Sequence, residues 1–554
     1  MKKTIQIIFT LALFLNATAI FAQSAAVKKA VNATFTLTTF KADGSILATS
    51  NGAFISNNGV GVTTWKPFVG ADRAVIIDNK GQKYEIEAIL GANEIYDIAK
   101  LKINTATSSL PFATTITPDS PSWIITPAKT NAPIQATTSK VEKFMNQYNY
   151  CVLSSSATEK QVGAAVVNNK GQLIGIYNIA GTLQSSTDAA YSKEFKLTGL
   201  SQNDLTLRQT NIRIGLPDNI DEALIALMLS NDKTEKIHQE TINEFITKFP
   251  KDNNGYNALA NAYIAKGDLA AADKTLKEAI SKVDKKDMAY YNYARTIYLS
   301  SLNPSLNDKA KALDWSLDKA MSIAEQAYNT KPENIYKHLQ AQIVYSKGEY
   351  QKAYDSFEAL TKTDMKNPEL YLEMAQSLQQ LNRSDEEILE KLNQSIALCD
   401  TPYVQTSAPY FLARAQQLDK MGQYRKAMQD YYTYEYFNLG RLDANFYYMR
   451  EQCEVKGKLW QQALQDILIA SRLAPNEPMY CAEAGSLLLR VNKFDEAMTA
   501  ATQAIILKPD YAEAYLILGI AQCQSNRKTE GIKSITKAKE LGNTQADSFL
   551  EKFK

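Results

Sequence analysis

From about Asp218 to the end of the chain one frame of residues keeps returning, and it dictates helices in pairs. Gly267-Asp268-Leu269 with Ala272, Leu276 and Ala279, Gly348-Glu349-Tyr350 with Ala353 and Phe357, and Gly422-Gln423-Tyr424 with Ala427 and Tyr431 share the frame. Trp460 with Ala463, Ala470 and Pro475 continues it, as does Phe494 with Ala497, Ala504 and Pro509. Ala463, Ala497 and Gly531 stand about 34 residues apart. Apolar residues fall at helical spacing and β-type turns are scarce, so this region is all helix. Small residues such as Ala260, Ala272, Ala497 and Gly519 let paired helices approach closely, while Tyr256, Leu259 and Leu276 fill the space between them. Pro332, Pro475 and Pro509 each stop a second helix.

This order of Gly, aromatic, Ala, aromatic or Leu, Ala and Pro resembles the tetratricopeptide repeat (TPR). The last full unit matches the family positions with Pro509, Tyr515, Leu518, Gly519, Gly531 and Ala538. The resemblance implies an all-α superhelical solenoid of about eight helix pairs over 218–542, followed by a helical tail over 543–554. The first pair is degenerate, and the second is interrupted around Leu302 to Leu313. It also implies a concave groove, lined by the first helix of each unit, that takes an extended peptide or a partner helix. On that groove fall Asn254, Asn257 and Asn261 of one unit and Tyr291, Asn292 and Arg295 of the next. Amide and guanidinium groups so placed can clamp a peptide backbone or a terminal carboxylate. The family's clamp uses lysines at some of these places, where this chain has Asn257. Tyrosine is abundant, 30 residues against 19 Phe. In Tyr290-Tyr291-Asn292-Tyr293 and Tyr431-Tyr432-Thr433-Tyr434-Glu435-Tyr436 consecutive side chains point in different directions, so some must be exposed as contact residues.

Between about Val31 and Ile214 the composition is different, rich in Thr, Val, Ile and Ser, with short runs such as Ala74 to Ile77 and Leu173 to Ile176. Asn57-Asn58-Gly59, Asn79-Lys80-Gly81 and Asn169-Lys170-Gly171 mark turns between them, which reads as an all-β barrel or sandwich. The segment Leu216-Pro217-Asp218-Asn219 is the natural join to the helices.

Three segments of this β region, in order, resemble the exported bacterial type of trypsin-like serine peptidase. Gly52 to Lys66 is similar to the strand, turn and strand that ends in the family's histidine base. Ala88 to Ile103 is similar to the segment carrying the aspartate that orients that base. Lys160 to Ile176 is similar to the nucleophile loop and the strand after it. The resemblance implies a double β-barrel over residues 31–214 and assigns the base position to Lys66, the orienting carboxylate to Asp97 and the nucleophile to Val162. Acyl transfer by this machinery requires a hydroxyl, an imidazole, a carboxylate and backbone N–H groups for the oxyanion. Of the three side chains only the carboxylate is present, as Asp97. The chain has two histidines in all, His238 and His338, and both lie in the helical region, where solvated or partly packed side chains are expected. The first glycine of the family's loop is replaced by Lys160, while Gly163 is kept. A Ser/Lys arrangement would need a serine beside a desolvated Lys66, and the nucleophile position offers valine instead; Ser154, Ser155 and Ser156 read as turn or strand hydroxyls. The expected place of Asp97 is therefore that of a surface or capping carboxylate, paired with Lys66.

Other chemistry is excluded on similar grounds. The five cysteines, Cys151, Cys399, Cys453, Cys481 and Cys523, form no C-x-x-C pair, and with two distant histidines they make no zinc site. Whether any of them pair, as Cys453 and Cys481 could, stays open, with buried thiols the plainer reading. Gly59 to Lys66 lacks the Gly-Lys-Ser/Thr ending of a phosphate loop, so neither cofactor nor metal is expected. A formal charge of +2, from 61 Lys+Arg against 59 Asp+Glu, argues against a nucleic-acid surface.

Met1-Lys2-Lys3, the apolar run Ile7 to Leu15 and Ile20-Phe21-Ala22 follow the order of a secretory signal over residues 1–22, with cleavage after Ala22 and no later span of membrane length. No Cys stands at the cleavage site, which favours a periplasmic or secreted bacterial product over a lipoprotein. The expectation is an exported scaffold or adaptor: a non-catalytic peptidase-like barrel followed by TPR units that bind a protein or peptide, in association with an envelope assembly. The alternatives are an active exported serine-type endopeptidase whose repeats recruit substrate, and a barrel that serves only as a folding cap.

Overall fold

The structure, a computed structural model, describes residues 24–127 and 132–553; the expected signal segment 1–22 lies outside them. The chain forms two compact units, one reaching Lys285 and the other starting at Lys286.

The first unit opens with a short helix, α1 (Ala25–Ala30), and then seven strands: β1 (Thr34–Phe40), β2 (Ile46–Phe54), β3 (Val60–Thr63), β4 (Arg73–Asp78), β5 (Lys83–Glu85), β6 (Ala88–Asn93) and β7 (Ile98–Lys102). They make one antiparallel sheet in the order β5-β4-β1-β2-β3-β7-β6. This half of the expected double barrel is open. The outer edge of β6 meets Ile214 instead of β5, with Ile89 N–H donating to the Arg213 carbonyl at 2.9 Å and Gly215 N–H to the Ile89 carbonyl at 3.0 Å. The next six strands, β8 (Pro121–Ile125), β9 (Ile134–Phe144), β10 (Tyr148–Ser155), β11 (Ala165–Asn168), β12 (Leu173–Ala180) and β13 (Leu183–Asp188), close into a barrel in the order β10-β13-β12-β11-β8-β9.

Strand periodicity explains the cores. Along β11 Val166 joins Ile124, Cys151, Leu153 and Tyr177 inside the barrel. Its neighbours Ala165 and Val167 face the other way and pack with Ala53, Val62 and Trp123. A strand buried on both faces has to be apolar throughout, hence the uninterrupted run Ala164 to Val167. All three turn signals read from the sequence sit at tight turns, with Gly59, Gly81 and Gly171 at φ of +86°, +85° and +73°.

Helices then take over within the same unit: α2 (Ile220–Leu229), α3 (Glu235–Lys248), α4 (Asn253–Ala265) and α5 (Leu269–Lys282). The join is packed. Leu216 is buried, its N–H donates to the Glu244 carboxylate and its carbonyl accepts from Lys248 Nζ at 2.6 Å. Asn219 caps α2 by accepting from the N–H groups of Asp221 and Glu222.

The second unit is helical: α6 (Lys286–Leu302), α7 (Asn307–Ala312), α8 (Leu317–Thr330), α9 (Asn334–Ser346), α10 (Tyr350–Leu360), α11 (Pro368–Gln380), α12 (Asp385–Ala397), α13 (Ala408–Lys420), α14 (Tyr424–Phe437), α15 (Ala444–Lys456), α16 (Trp460–Leu473), α17 (Pro478–Arg490), α18 (Phe494–Leu507), α19 (Ala512–Gln524), α20 (Lys528–Glu540) and α21 (Ala546–Phe553). Apart from α7, each helix packs on the next, which makes a solenoid, and the expected interruption places α7 in the chain between α6 and α8, which pack on each other. The frame alanines Ala353, Ala427, Ala463 and Ala497 are fully buried. In the last pair, a Cβ on Gly519 would stand 2.7 Å from the Gly531 carbonyl oxygen, and one on Gly531 would stand 2.7 Å from that of Gly519. Two glycines facing one another bring these helices closer than any side chain allows. Helices α8, α16 and α18 each end two residues before Pro332, Pro475 and Pro509, because proline disfavours helical geometry in the residue before it.

Candidate functional site

The turn between β6 and β7 holds Asp97 at φ +46°, a left-handed conformation that aspartate tolerates better than most residues. Its Oδ1 accepts from the backbone N–H groups of Trp65 and Lys66, both at 2.9 Å, and its Oδ2 accepts from Asn178 Nδ2 at 2.8 Å. The sequence-assigned pair is thus brought together: Lys66 Nζ stands 3.9 Å from Asp97 Oδ2. The partners are unequal, since the Lys66 side chain is 75% exposed and that of Asp97 only 8%. A solvated ammonium at that distance adds little; the three N–H donors hold the carboxylate in place.

Val162 lies in a loop that closes on itself. Thr158 and Gln161 form a capping box around a single turn of 3-10 helix, Glu159–Gln161. Within it Val162 N–H donates to the Glu159 carbonyl at 3.1 Å and Lys160 N–H to Thr158 Oγ1 at 3.4 Å. Both N–H groups are thus bonded inside the loop. The Val162 carbonyl accepts from Asn51 N–H and Asn51 Nδ2, each at 3.0 Å, and from Ser50 Oγ at 3.1 Å, and Ser50 Oγ lies 3.1 Å from Thr64 Oγ1. Gly163, at φ +83°, has no room for a side chain, since a Cβ would stand 2.3 Å from the Asn51 carbonyl oxygen.

Of the residues assigned to the peptide groove, Asn254, Asn257 and Asn261 lie on α4 in the first unit. The Asn254 side chain donates to Asp252 Oδ1 at 2.9 Å in the capping turn of that helix, Asn257 is half-buried and Asn261 is exposed. Tyr291, Asn292 and Arg295 lie on α6 in the second unit. Tyr291 and Asn292 are half-buried, the Tyr291 ring sits 5.5 Å from that of Tyr336, and Arg295 is exposed. Burial pushes the Tyr291 hydroxyl above its ordinary pKa. The tyrosine run of α14 divides as expected, with Tyr431 fully buried and Tyr432 and Tyr436 exposed.

Sequence reasoning missed two polar constellations in the helices. His338, expected to be solvated or partly packed, is only 6% exposed. Its Nε2 lies 2.6 Å from Glu373 Oε2 across a separation of 35 residues, and Gln342 Nε2 donates to Glu373 Oε1 at 2.7 Å. Burial disfavours the imidazolium, but the bond to Glu373 and that carboxylate's charge outweigh it, so the His338 pKa is raised. His238 is half-buried with Nδ1 2.7 Å from Ser230 Oγ, and burial lowers its pKa. The second constellation is a pair of Arg–Asp forks one repeat apart. Arg414 grips Asp430 through Nε at 2.7 Å and Nη2 at 2.8 Å, and Arg450 grips Asp466 through the same atoms at 2.5 and 2.8 Å; in both the partners are 16 residues apart. That shared offset is the signal by which lining up the units would have found them. All five cysteines are free thiols, with Cys151, Cys453 and Cys481 buried.

Comparison with known proteins agrees with the helical reading. A tetratricopeptide repeat family model matches residues 483–546, the stretch from within α17 to the start of α21. No curated protein matches the chain. The molecule therefore carries a β region, a half-barrel sheet with a closed barrel, followed by a helical solenoid containing tetratricopeptide repeats, a type of unit that mediates protein–protein interaction. Among the described residues no helix is long and apolar enough to cross a membrane.

Proposed function

We propose that this protein is an exported, non-catalytic scaffold, in which a peptidase-like β region that has lost its reaction accompanies TPR units that bind a protein or peptide partner in an envelope assembly. The observation that carries the non-catalytic half is the closed loop at Val162. Besides the aliphatic side chain at the nucleophile position and Lys66 at the base position, the backbone N–H groups of Lys160 and Val162 are bonded within the loop and offer nothing to a tetrahedral oxyanion. Asp97 keeps a role in architecture. The order of basic, apolar and small residues in segment 1–22 supports export, and the repeat match supports the binding half.

A fluorophosphonate probe, which modifies activated serines, tests this reading on the full chain. Residues 31–214 are expected to stay unmodified while affinity capture from the cell envelope recovers a protein partner. Stoichiometric labelling within 31–214 would establish the endopeptidase alternative and overturn the proposal.

A further inference from the structure

A cavity of about 490 Å³ opens in the second unit where α14, α15 and α16 meet. Its floor is charged. Arg450, only 3% exposed, gives Nε and Nη2 to Asp466 and Nη1 to Glu435 at 2.7 Å, so this cation already has two carboxylates. Glu454 lines the same cavity, is 1% exposed, and neither of its carboxylate oxygens has a hydrogen-bond partner. Burial, with the nearby Asp466 charge, pushes its pKa up to about 8 against the opposing pull of Arg450, and Glu451 and Glu435 add to the rise. A buried carboxyl without a donor is costly, and the cost is removed by a ligand that brings N–H groups and a positive charge.

The rest of the lining narrows the ligand. Among the described residues no three His, Cys, Asp or Glu side chains are disposed to hold a metal ion. Leu468 and Tyr432 present apolar surface at 41% and 45% exposure, and Arg472 is exposed to solvent, where its charge is screened. Gln462 and Gln465 complete the polar side of the lining, and the apolar surface of Leu468, Ile469 and Tyr432 beside the one carboxyl of that lining without a partner matches a four-carbon stem that ends in an ammonium. By contrast, the cavity of about 910 Å³ in the first unit has its buried cation, Arg213, paired with Glu244 and Glu87, and leaves no such carboxyl without a partner.

We propose that this cavity receives the ammonium of a lysine side chain from a protein partner, with Glu454 releasing its proton to solvent so that its carboxylate accepts the ammonium's hydrogen bond, and with Leu468 and Tyr432 packing on its methylene stem. The assignment rests on reading the helical units as a protein-binding surface. It is tested on the full chain by calorimetric titration with three capped amino acids: N-acetyl-lysine methylamide, its Nε-acetylated form and the norleucine analogue. The lysine probe should bind saturably, and binding should weaken at least about tenfold on Nε-acetylation, with norleucine and in Glu454→Gln. The glutamine variant removes an unpaired buried acid, and a far-UV CD melt confirms its fold; Leu468→Ala, at an exposed position, should also weaken the lysine probe. Equal binding of all three probes, no binding of any, or unchanged binding in Glu454→Gln would overturn the assignment. Failure of the probes while captured protein partners persist would refute this pocket and leave the protein-binding reading standing. Specific lysine binding by a chain that captures no protein would do the reverse.

Discussion

Truncating Asp97 separates an architectural carboxylate from a catalytic remnant. In Asp97→Ala the N–H of Trp65, a fully buried residue, loses its acceptor, as do the N–H of Lys66 and the amide of Asn178. One buried unsatisfied donor costs about 1–3 kcal/mol, and the two others, nearer to solvent, add less. Alanine at φ +46° adds roughly 1 kcal/mol of backbone strain. The expected loss is therefore about 4 kcal/mol, which at a slope near 2.5 kcal/mol per molar urea moves the midpoint of the β region by about 1.5 M. Asp97→Asn keeps Oδ1 for both N–H groups and tolerates the same backbone but sets its own amide against the Asn178 donor, so it should lose about 1–2 kcal/mol, well short of the alanine variant. Lys66→Ala, which removes an exposed and distant cation, should change stability by less than about 0.5 kcal/mol. Urea unfolding followed by tryptophan fluorescence gives the midpoints, and hydrogen exchange at the Trp65 and Lys66 amides localises the effect. An alanine variant with native stability and native protection of those amides would refute the reasoning, as would an asparagine variant as damaged as the alanine one.

The His338–Glu373 pair makes the helices sensitive to pH. A histidine whose folded pKa is raised contributes stability that is complete below its unfolded value near 6.5 and is lost as the pH rises through the folded value. Thermal melts should therefore show the advantage of the native chain over His338→Gln shrinking from pH about 6 to pH about 8, and a constant gap would contradict the assigned pair. At the buried fork, Arg450→Met leaves Asp466 and Glu435 without their cation and should cost about 3–5 kcal/mol, while Arg450→Met with Asp466→Leu should recover most of it in chemical denaturation. Additive losses in the double variant would show that the fork is not a coupled unit.

Much of this architecture is legible in the sequence because it rests on steric needs that repeat. Ala353, Ala427 and Ala463 had to be small wherever two helices touch, and Gly59, Gly81 and Gly171 had to take turns closed to other residues. The three peptidase-like segments also placed Lys66 beside Asp97 without any structural knowledge. What escaped the sequence depends on which faces meet across units. Glu373 bonds His338 from 35 residues away, and nothing local to either residue announces the other. The state of the Val162 loop was written locally, as Thr158-Glu159-Lys160-Gln161, the spacing of a capping box. The open first sheet went unforeseen because its edge is filled by residues around Ile214, at the far end of the β region.

The capping box at Thr158 also bears on the proposed absence of catalysis. Placing histidine at 66 and serine at 162 would supply two side chains in two steps, yet the amide protons of Lys160 and Val162 would still point at Thr158 and Glu159. Thr158 and Gln161 would have to release each other before the loop could present an anion cradle. On the proposed reading, hydrolysis would require a change of backbone conformation that substitutions at 66 and 162 alone do not supply.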